Sequence, residues 1–432
     1  MNRKILRLAI PSIAANITTP LLALVDTAIV GHLGSEVYIA AIAIGGVMFN
    51  MIYWLFSFLR GGTSGIAAQA YGAGDTKATT LVLRRSLILA VMIGILIILL
   101  QYPLYLLLSD LLQPDPVTET LSAQYFSILI FGAPAVLGNF ALSGWFLGMQ
   151  VSRMLLWVSL IINLVNIASS LILVYLLDMG IPGVATGTLI AQWTGFCAGF
   201  LFLRRFRQVS VTIAEILHLD QLKRFFRVNI DVMLRTICLI AVTMWFTRTG
   251  AQQGTLILAV NTLLMQLFIL FSYMMDGFAF AGEALVGRFV GDRDYRSMKL
   301  CVRQLFMWGI LWAALFTTLY FVGGEGFLRL LSDDGDVITA SHEYYLWAVT
   351  VPFAGFAAFA WDGVFIGATM TRGLVISMAG AMTVFFVTYL ISFQSMGNHG
   401  LWLAFILYLL TRGLLQTVIF MRHTPGSTSV AN

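Results

Sequence analysis

The chain has 432 residues, of which 59% are hydrophobic and 10% charged, against roughly 25% charged in an average soluble domain. A soluble core cannot absorb that much apolar surface, and the net charge of +5 is accounted for by membrane topology, so no nucleic-acid partner is expected. Cys197, Cys238 and Cys301 are isolated, in or beside apolar segments, and read as buried small hydrophobes; the five histidines form no cluster at metal-ligand spacing.

Apolar runs such as 87–108, 154–177 and 375–393 are long enough to cross about 30 Å of hydrocarbon as helix. Alternating strand patterns are absent, which disfavours a barrel. The first segment has a basic head and apolar body like a signal peptide. Arg7 and Pro11 interrupt that body and apolar sequence continues past Ala28, so it reads as the first span. In chain order, twelve spans are predicted: 5–32, 38–71, 82–108, 119–148, 154–177, 182–203, 226–250, 256–288, 300–322, 338–367, 373–394 and 399–422. The basic residues, among them Arg3, Lys77, Arg84, Arg85, Arg204, Lys223, Arg293 and Arg422, fall on one side of these spans. Arg248 and Arg329 lie on the other, with acids such as Asp110, Asp115, Asp333 and Asp334. This is the positive-inside pattern, with both termini cytoplasmic.

The chain also repeats itself. Gly144-Trp145-Phe146-Leu147-Gly148 returns as Gly363-Val364-Phe365-Ile366-Gly367, and the segment from Gln69 to Asp75 aligns with that from Arg288 to Asp294, at an offset of about 219. Six spans per half bring both copies in from the same side, so the halves should be related by a pseudo-two-fold axis along the membrane normal. The expected fold is an all-α polytopic membrane protein of twelve transmembrane helices in two six-helix lobes. The N-lobe is 1–207, a cytoplasmic linker with a short amphipathic helix 208–225, the C-lobe 226–424, and a disordered tail 425–432. The Gly144/Gly148, Gly195/Gly199 and Gly287/Gly291 pairs read as helix-packing sites.

Polar residues inside spans carry the chemistry, because each costs free energy in lipid. Asn16, Thr19, Ala23 and Asp26 share a face of the first span, with Pro20 among them favouring a kink. A lone intramembrane carboxylate on such a face suits a proton or cation site; the bland alternative is a structural acid paired with a nearby donor. Ser159, Asn163, Asn166 and Ser170 form a stripe in the fifth span, and Asn139 and Ser143 are one turn apart in the fourth. Such stripes can simply glue helices together, but several in one half near one acid point to a shared hydrated pocket, with Asp26, Asn139, Asn163, Asn166 and Ser170 as its cation-coupling residues. In the second half, Asp276 and Glu283 share a face and Asp362 lies in the tenth span. Arg60 sits in the second span, with Arg235 and Arg412 elsewhere. Arg60, Asp276 and Glu283 are expected in a cytoplasmic-side ion-pair network, with Arg235 a further gate residue.

The run from Leu24 through Asp26-Thr27-Ala28-Ile29-Val30-Gly31-His32-Leu33-Gly34 resembles the multidrug and toxic compound extrusion family, in its DinF branch. So do Ala67 to Gly72, Asn229 to Arg235 and Asp362 to Thr369. The resemblance implies a two-lobed secondary antiporter that expels amphipathic, often cationic, compounds using a proton or sodium gradient. It places Asp26 in the N-lobe coupling pocket and implicates Asp362 in the C-lobe of sodium-coupled relatives. Two departures favour protons. Ser170 stands where relatives often carry an acid, four residues after Asn166, and Arg235 lies near the place of the seventh-span glutamate of sodium-coupled relatives.

No nucleotide-binding GxxxxGK[ST] motif and no nucleophile–base or metal motif occurs, so neither a primary pump nor an enzyme is expected. The other reading is a flippase for a lipid-linked precursor on the same architecture. Such a substrate favours a basic cavity, whereas acids, aromatics and methionines such as Met48, Met51 and Met233 suit varied apolar cations better. The expected function is multidrug efflux by a proton-coupled antiporter, with sodium the lesser alternative and no cofactor beyond the coupling ion. Its expected partners are the bilayer and small amphipathic organic molecules, and its expected setting is a bacterial inner membrane, as a monomer.

Overall fold

A computed structural model describes residues 1–31, 36–332 and 334–423, apart from the side chains of 19–24, 36, 325 and 423. The side chains of Thr19, Pro20 and Ala23, the His32-Leu33-Gly34 end of the first motif, Asp333 and the 425–432 tail lie outside the described residues. The helices are α1 (Asn2–Gly31), α2 (Glu36–Leu55), α3 (Phe58–Gly72), α4 (Thr76–Leu99), α5 (Gln101–Leu112), α6 (Pro116–Leu129), α7 (Ala133–Gly148) and α8 (Arg153–Leu171). They continue with α9 (Gly180–Leu203), α10 (Ile213–Ile216), α11 (Leu219–Gln252), α12 (Thr255–Gly291), α13 (Tyr295–Leu331), α14 (Gly335–Gly367), α15 (Thr371–Met396) and α16 (Asn398–His423). No strand occurs among the described residues. Eleven stretches among them are long and apolar enough to cross a membrane, the first being Val37–Gly72; α1 precedes it.

Two predicted spans are broken at prolines, and two further helices are irregular near their ends. The apolar run 82–108 reads as one span, yet its helix stops at Leu99 and restarts at Gln101. Pro103 has no N–H to give Leu99, and its ring crowds that carbonyl. Pro134 acts likewise on Ile130, where a short 3₁₀ turn, Ile130–Gly132, separates α6 from α7. The fifth span ends in a five-residue π-helix, Ile172–Leu176. Gly324, at φ 36° and ψ −119°, kinks α13; this left-handed region is one that only glycine enters without strain.

The duplication is visible in the backbone. Left-handed residues recur as the pairs Gly74/Arg293, Gln150/Thr369 and Asp178/Gly397, all at the offset of the repeated motifs. Asp75 caps α4 by accepting from the Ala78 N–H at 2.8 Å; its counterpart Asp294 caps α13 through the Ser297 N–H at 3.0 Å. These aspartates satisfy helix-start donors that would otherwise be orphaned. The paired glycines also do the same work twice. A Cβ on Gly144 would collide with the Arg60 carbonyl, and one on Gly148 would stand 2.8 Å from the Ser64 carbonyl oxygen. On the matching helix, a Cβ on Gly363 would collide with the Ala279 carbonyl, and one on Gly367 would stand 2.6 Å from that of Glu283. Without side chains at these four positions, α7 lies against α3, and α14 against α12, at backbone distance.

The chain forms two compact units, Ile10–Asn229 and a second made of Met1–Ala9 with Ile230–Asn432. In the second, Trp308 donates its indole N–H to the Asn2 side chain at 3.3 Å, which ties the start of α1 to α13. Its apolar core is rich in aromatics, including Phe246, Phe271, Trp402 and Phe405.

The segment predicted as one amphipathic linker helix is split. Thr212 and Glu215 form a reciprocal capping box around the single turn of α10, and the residues from Leu219 on belong to α11, where Asp220 favours the helix start. Arg85, 7% exposed, holds α10 in place. It donates to the carbonyls of Ile216 (2.8 Å) and Glu215 (2.7 Å) and to the Gln221 side chain (2.9 Å). Lys77 adds an exposed pair to the Glu215 carboxylate at 2.5 Å. That hydrogen bond holds the Glu215 carboxyl below its ordinary range. The pair is therefore present at neutral pH and lost as pH falls through the depressed value, whereas the Arg85 contacts to backbone do not titrate. Amide hydrogen exchange over 212–217 tests this division. Arg85→Ala should raise exchange there at neutral pH, while Glu215→Gln or mild acid should change it little. Unchanged exchange in Arg85→Ala would remove Arg85 as the clasp.

Candidate functional site

Among the described residues, three acids are buried within the helices, Asp26 in one unit and Glu283 and Asp362 in the other, and Asp26 and Asp362 are handled in opposite ways. Asp26 on α1 is 4% exposed. Among the described residues no cation pairs with it. Its surroundings are neutral: Thr188 on α9 donates to Oδ2 at 3.1 Å, Asn166 on α8 stands beside the carboxyl, and Tyr125 on α6 lies near enough to interact with it electrostatically. Asn166 donates in turn to the Thr188 hydroxyl at 2.9 Å. Ser170, one turn along α8 from Asn166, packs against Gly187, which has no side chain to displace it. Three oxygens in this region, Asp26 Oδ1, Asn166 Oδ1 and Ser170 Oγ, are buried without a hydrogen-bond partner among the described residues.

The Thr188 hydroxyl has two acceptors within reach, Asp26 Oδ2 and the Val184 carbonyl at 3.0 Å, but one hydrogen to give. An ionised Asp26 draws that hydrogen. A protonated Asp26 becomes a donor itself, leaving the Thr188 hydrogen to return to Val184. The local network therefore has one arrangement for each charge state of the acid.

Other residues from the predicted pocket point elsewhere. Asn163 donates to the Thr18 carbonyl at 3.1 Å, and Ser159 bonds the Thr18 hydroxyl at 2.5 Å, so this part of the α8 stripe fastens α1. Asn139 reaches the Gln192 carbonyl at 3.4 Å. The sequence reading missed Thr188 and Tyr125. Thr188 and Gln192 are four apart in the apolar sixth span, the spacing that marked the other stripes.

In the second unit, Asp362 on α14 is 5% exposed and fully engaged. Arg235 from α11 and Arg412 from α16 both pair with Oδ2, and Gln416, one turn from Arg412, donates to Oδ1 at 2.9 Å. The Arg412 guanidinium also lies 5.8 Å from the centre of the Phe359 ring. Asp276 on α12 interacts electrostatically with Arg235. Glu283 is buried at 1% exposure. Arg60 belongs to the first unit, Asp276 and Glu283 to the second. A separate amide cluster closes the unit: Asn261 and Asn398 exchange side-chain hydrogen bonds at 2.8 and 2.9 Å, and Trp402 donates to Asn261 at 2.9 Å.

Comparison with known proteins agrees with this architecture. The MatE family profile matches the chain twice, over residues 11–172 and 229–390, the displacement of the paired motifs to within one residue. DNA damage-inducible protein F of Escherichia coli (strain K12) is 35% identical over 98% of this chain and 92% of its own length. The probable multidrug resistance protein NorM of Acinetobacter baylyi is 23% identical over 89% of this chain and 88% of its own. Among solved structures, MATE in its bent conformation superposes with a TM-score of 0.84 at 21% identity, covering 98% of this chain and 95% of that one. A polytopic helical chain with its fold built twice, and a buried polar centre in each copy, thus belongs to the MatE family of membrane transporters, the multidrug and toxic compound extrusion family, in its DinF branch.

Proposed function

We propose that this transporter is a proton-coupled antiporter that exports amphipathic, cationic compounds by alternating access, with Asp26 carrying the coupling proton. Its setting is a bacterial inner membrane with both termini cytoplasmic. The observation that carries this reading is the contrast between the two acids. The Asp362 charge is compensated by two arginines and has no need of an external cation. The Asp26 charge is compensated by neutral donors alone, so a proton or a bound cation from outside the protein relieves the cost of burying it.

A cycle follows from the hydrogen bonds. Ionised, Asp26 accepts from Thr188 and attracts a cationic substrate into the polar region of the first unit. Proton entry neutralises it, turns the carboxyl into a donor toward Asn166 or Thr188, and removes the attraction that held the substrate. The proton and the cation then compete for one carboxylate, which is the minimum requirement of antiport. Sodium is the second reading, favoured by one observation: three unpartnered oxygens, from Asp26, Asn166 and Ser170, suit a hard cation. The site holds a single acid, and one charge is matched by one proton without further ligands, so we favour the proton.

Asp26→Asn keeps the shape and removes the titrating group. It should reach the membrane at normal levels and lose gradient-driven efflux of a cationic dye by more than about tenfold, the equivalent of about 1.4 kcal/mol. Thr188→Ser should retain transport and Thr188→Val should slow it, because only the former keeps the hydroxyl. Near-normal efflux by Asp26→Asn at matched expression would place coupling elsewhere.

Stability should report the opposite order. Asp362→Ala leaves Arg412, 2% exposed, uncompensated, at a cost of about 3–5 kcal/mol. Thermal unfolding of purified protein should therefore fall sharply for Asp362→Ala and little for Asp26→Asn. Equal losses would contradict the assignment of one acid to structure and the other to coupling.

A further inference from the structure

Beside the first turns of α4 and the end of α9, the first unit contains a cavity of about 230 Å³. Leu83, Leu87 and Phe200 line it with hydrocarbon, and Arg84, Arg204 and Gln208 bring polar groups. Both arginines are exposed, and neither guanidinium has a hydrogen-bond or ion-pair partner among the described residues. Their neighbours in sequence differ: Arg85 is spent on α10, and Arg205 lies over the Phe202 ring at 5.8 Å. Gln208 is the sharper signal. Both its side-chain nitrogen and its oxygen are buried with no partner among the described residues, a state that buried amides rarely keep without a ligand or water.

We propose that this cavity binds the headgroup of an anionic phospholipid, with phosphate as the recognised chemistry. Two unpaired guanidiniums and the Gln208 amide N–H groups supply donors to phosphate oxygens. The unmet Gln208 oxygen calls for a hydroxyl, which a glycerol headgroup carries and a choline headgroup lacks. The apolar wall decides between a lipid and a free phosphate ion. Phe200 is 42% exposed and α4 and α9 are both membrane-spanning, so an acyl chain has a continuous hydrocarbon path from the cavity into the bilayer. Basic pockets at the ends of membrane helices select anionic lipids on the same grounds. This site is separate from Asp26 and does not depend on the coupling ion.

Native mass spectrometry of the delipidated full-length protein tests the assignment, with phosphatidylglycerol and phosphatidylcholine of matched chains as probes. Phosphatidylglycerol should bind at least about tenfold more tightly, a difference of about 1.4 kcal/mol, and the Arg84→Gln/Arg204→Gln double variant should lose that preference. Gln208→Leu should weaken phosphatidylglycerol alone, and Leu87→Trp, which fills the cavity without changing charge, should weaken both lipids. The Arg84→Gln and Arg204→Gln single variants read the same preference if the double variant does not fold. Equal binding of the two lipids by the native protein, or an undiminished preference in all the variants, would overturn the proposal. Displacement of phosphatidylglycerol by millimolar inorganic phosphate would overturn its lipid part and assign the cavity to the free ion.

Discussion

Hydrocarbon offers no hydrogen bonds, so a polar group within the bilayer must find its partner inside the chain or bear the full cost of having none. That constraint organises this molecule. Hydroxyls on the spans fold back on their own helices, as Thr236 does on Val232 and Thr262 on Leu258. Amides pair across helices, as Asn261 does with Asn398. Other buried side-chain atoms, among them those of Asn139, Gln192 and Gln208, also lack a partner among the described residues, but the unpartnered oxygens of Asp26, Asn166 and Ser170 include a carboxylate. They lie where a carboxylate meets no cation among the described residues.

Duplication gives the two units one backbone plan and leaves their chemistry free to diverge. The glycines that bring α7 onto α3 have counterparts that bring α14 onto α12, and the aspartate caps of α4 and α13 correspond. These are properties of backbone geometry and are kept in both copies. The acids are not. The first unit places an uncompensated carboxylate on its first helix, whereas the second surrounds Asp362 with Arg235, Arg412 and Gln416. One scaffold thereby holds one buried carboxylate among neutral donors and another between two arginines.

The sequence revealed much of the fold because membrane spans and glycine repeats are local, additive signals. The breaks near Pro103 and Pro134 were also accessible, since proline acts within four residues of itself, but apolar continuity hid them. Asp26, Asn166 and Ser170 could be named from polarity alone. Thr188 could not be separated from an ordinary helix threonine, because its bond to Val184 is what such residues commonly make; its second acceptor is 162 positions away. The same holds for Arg235, which meets Asp362 across 127 positions, and for Arg85, whose role in topology was plain while its grip on α10 was not. Pairings of this kind depend on three-dimensional closure, which periodicity does not encode.

In the proposed cycle, protons loaded on Asp26 drive export. Inside-out membrane vesicles containing the transporter allow the two candidate gradients to be imposed separately while accumulation of a cationic dye is followed by fluorescence. An acid-interior pH gradient without sodium should drive dye uptake, and a sodium-interior gradient at equal pH should drive none. Uptake driven by sodium at equal pH, with no response to the pH gradient, would rule out Asp26 as the carrier of a coupling proton.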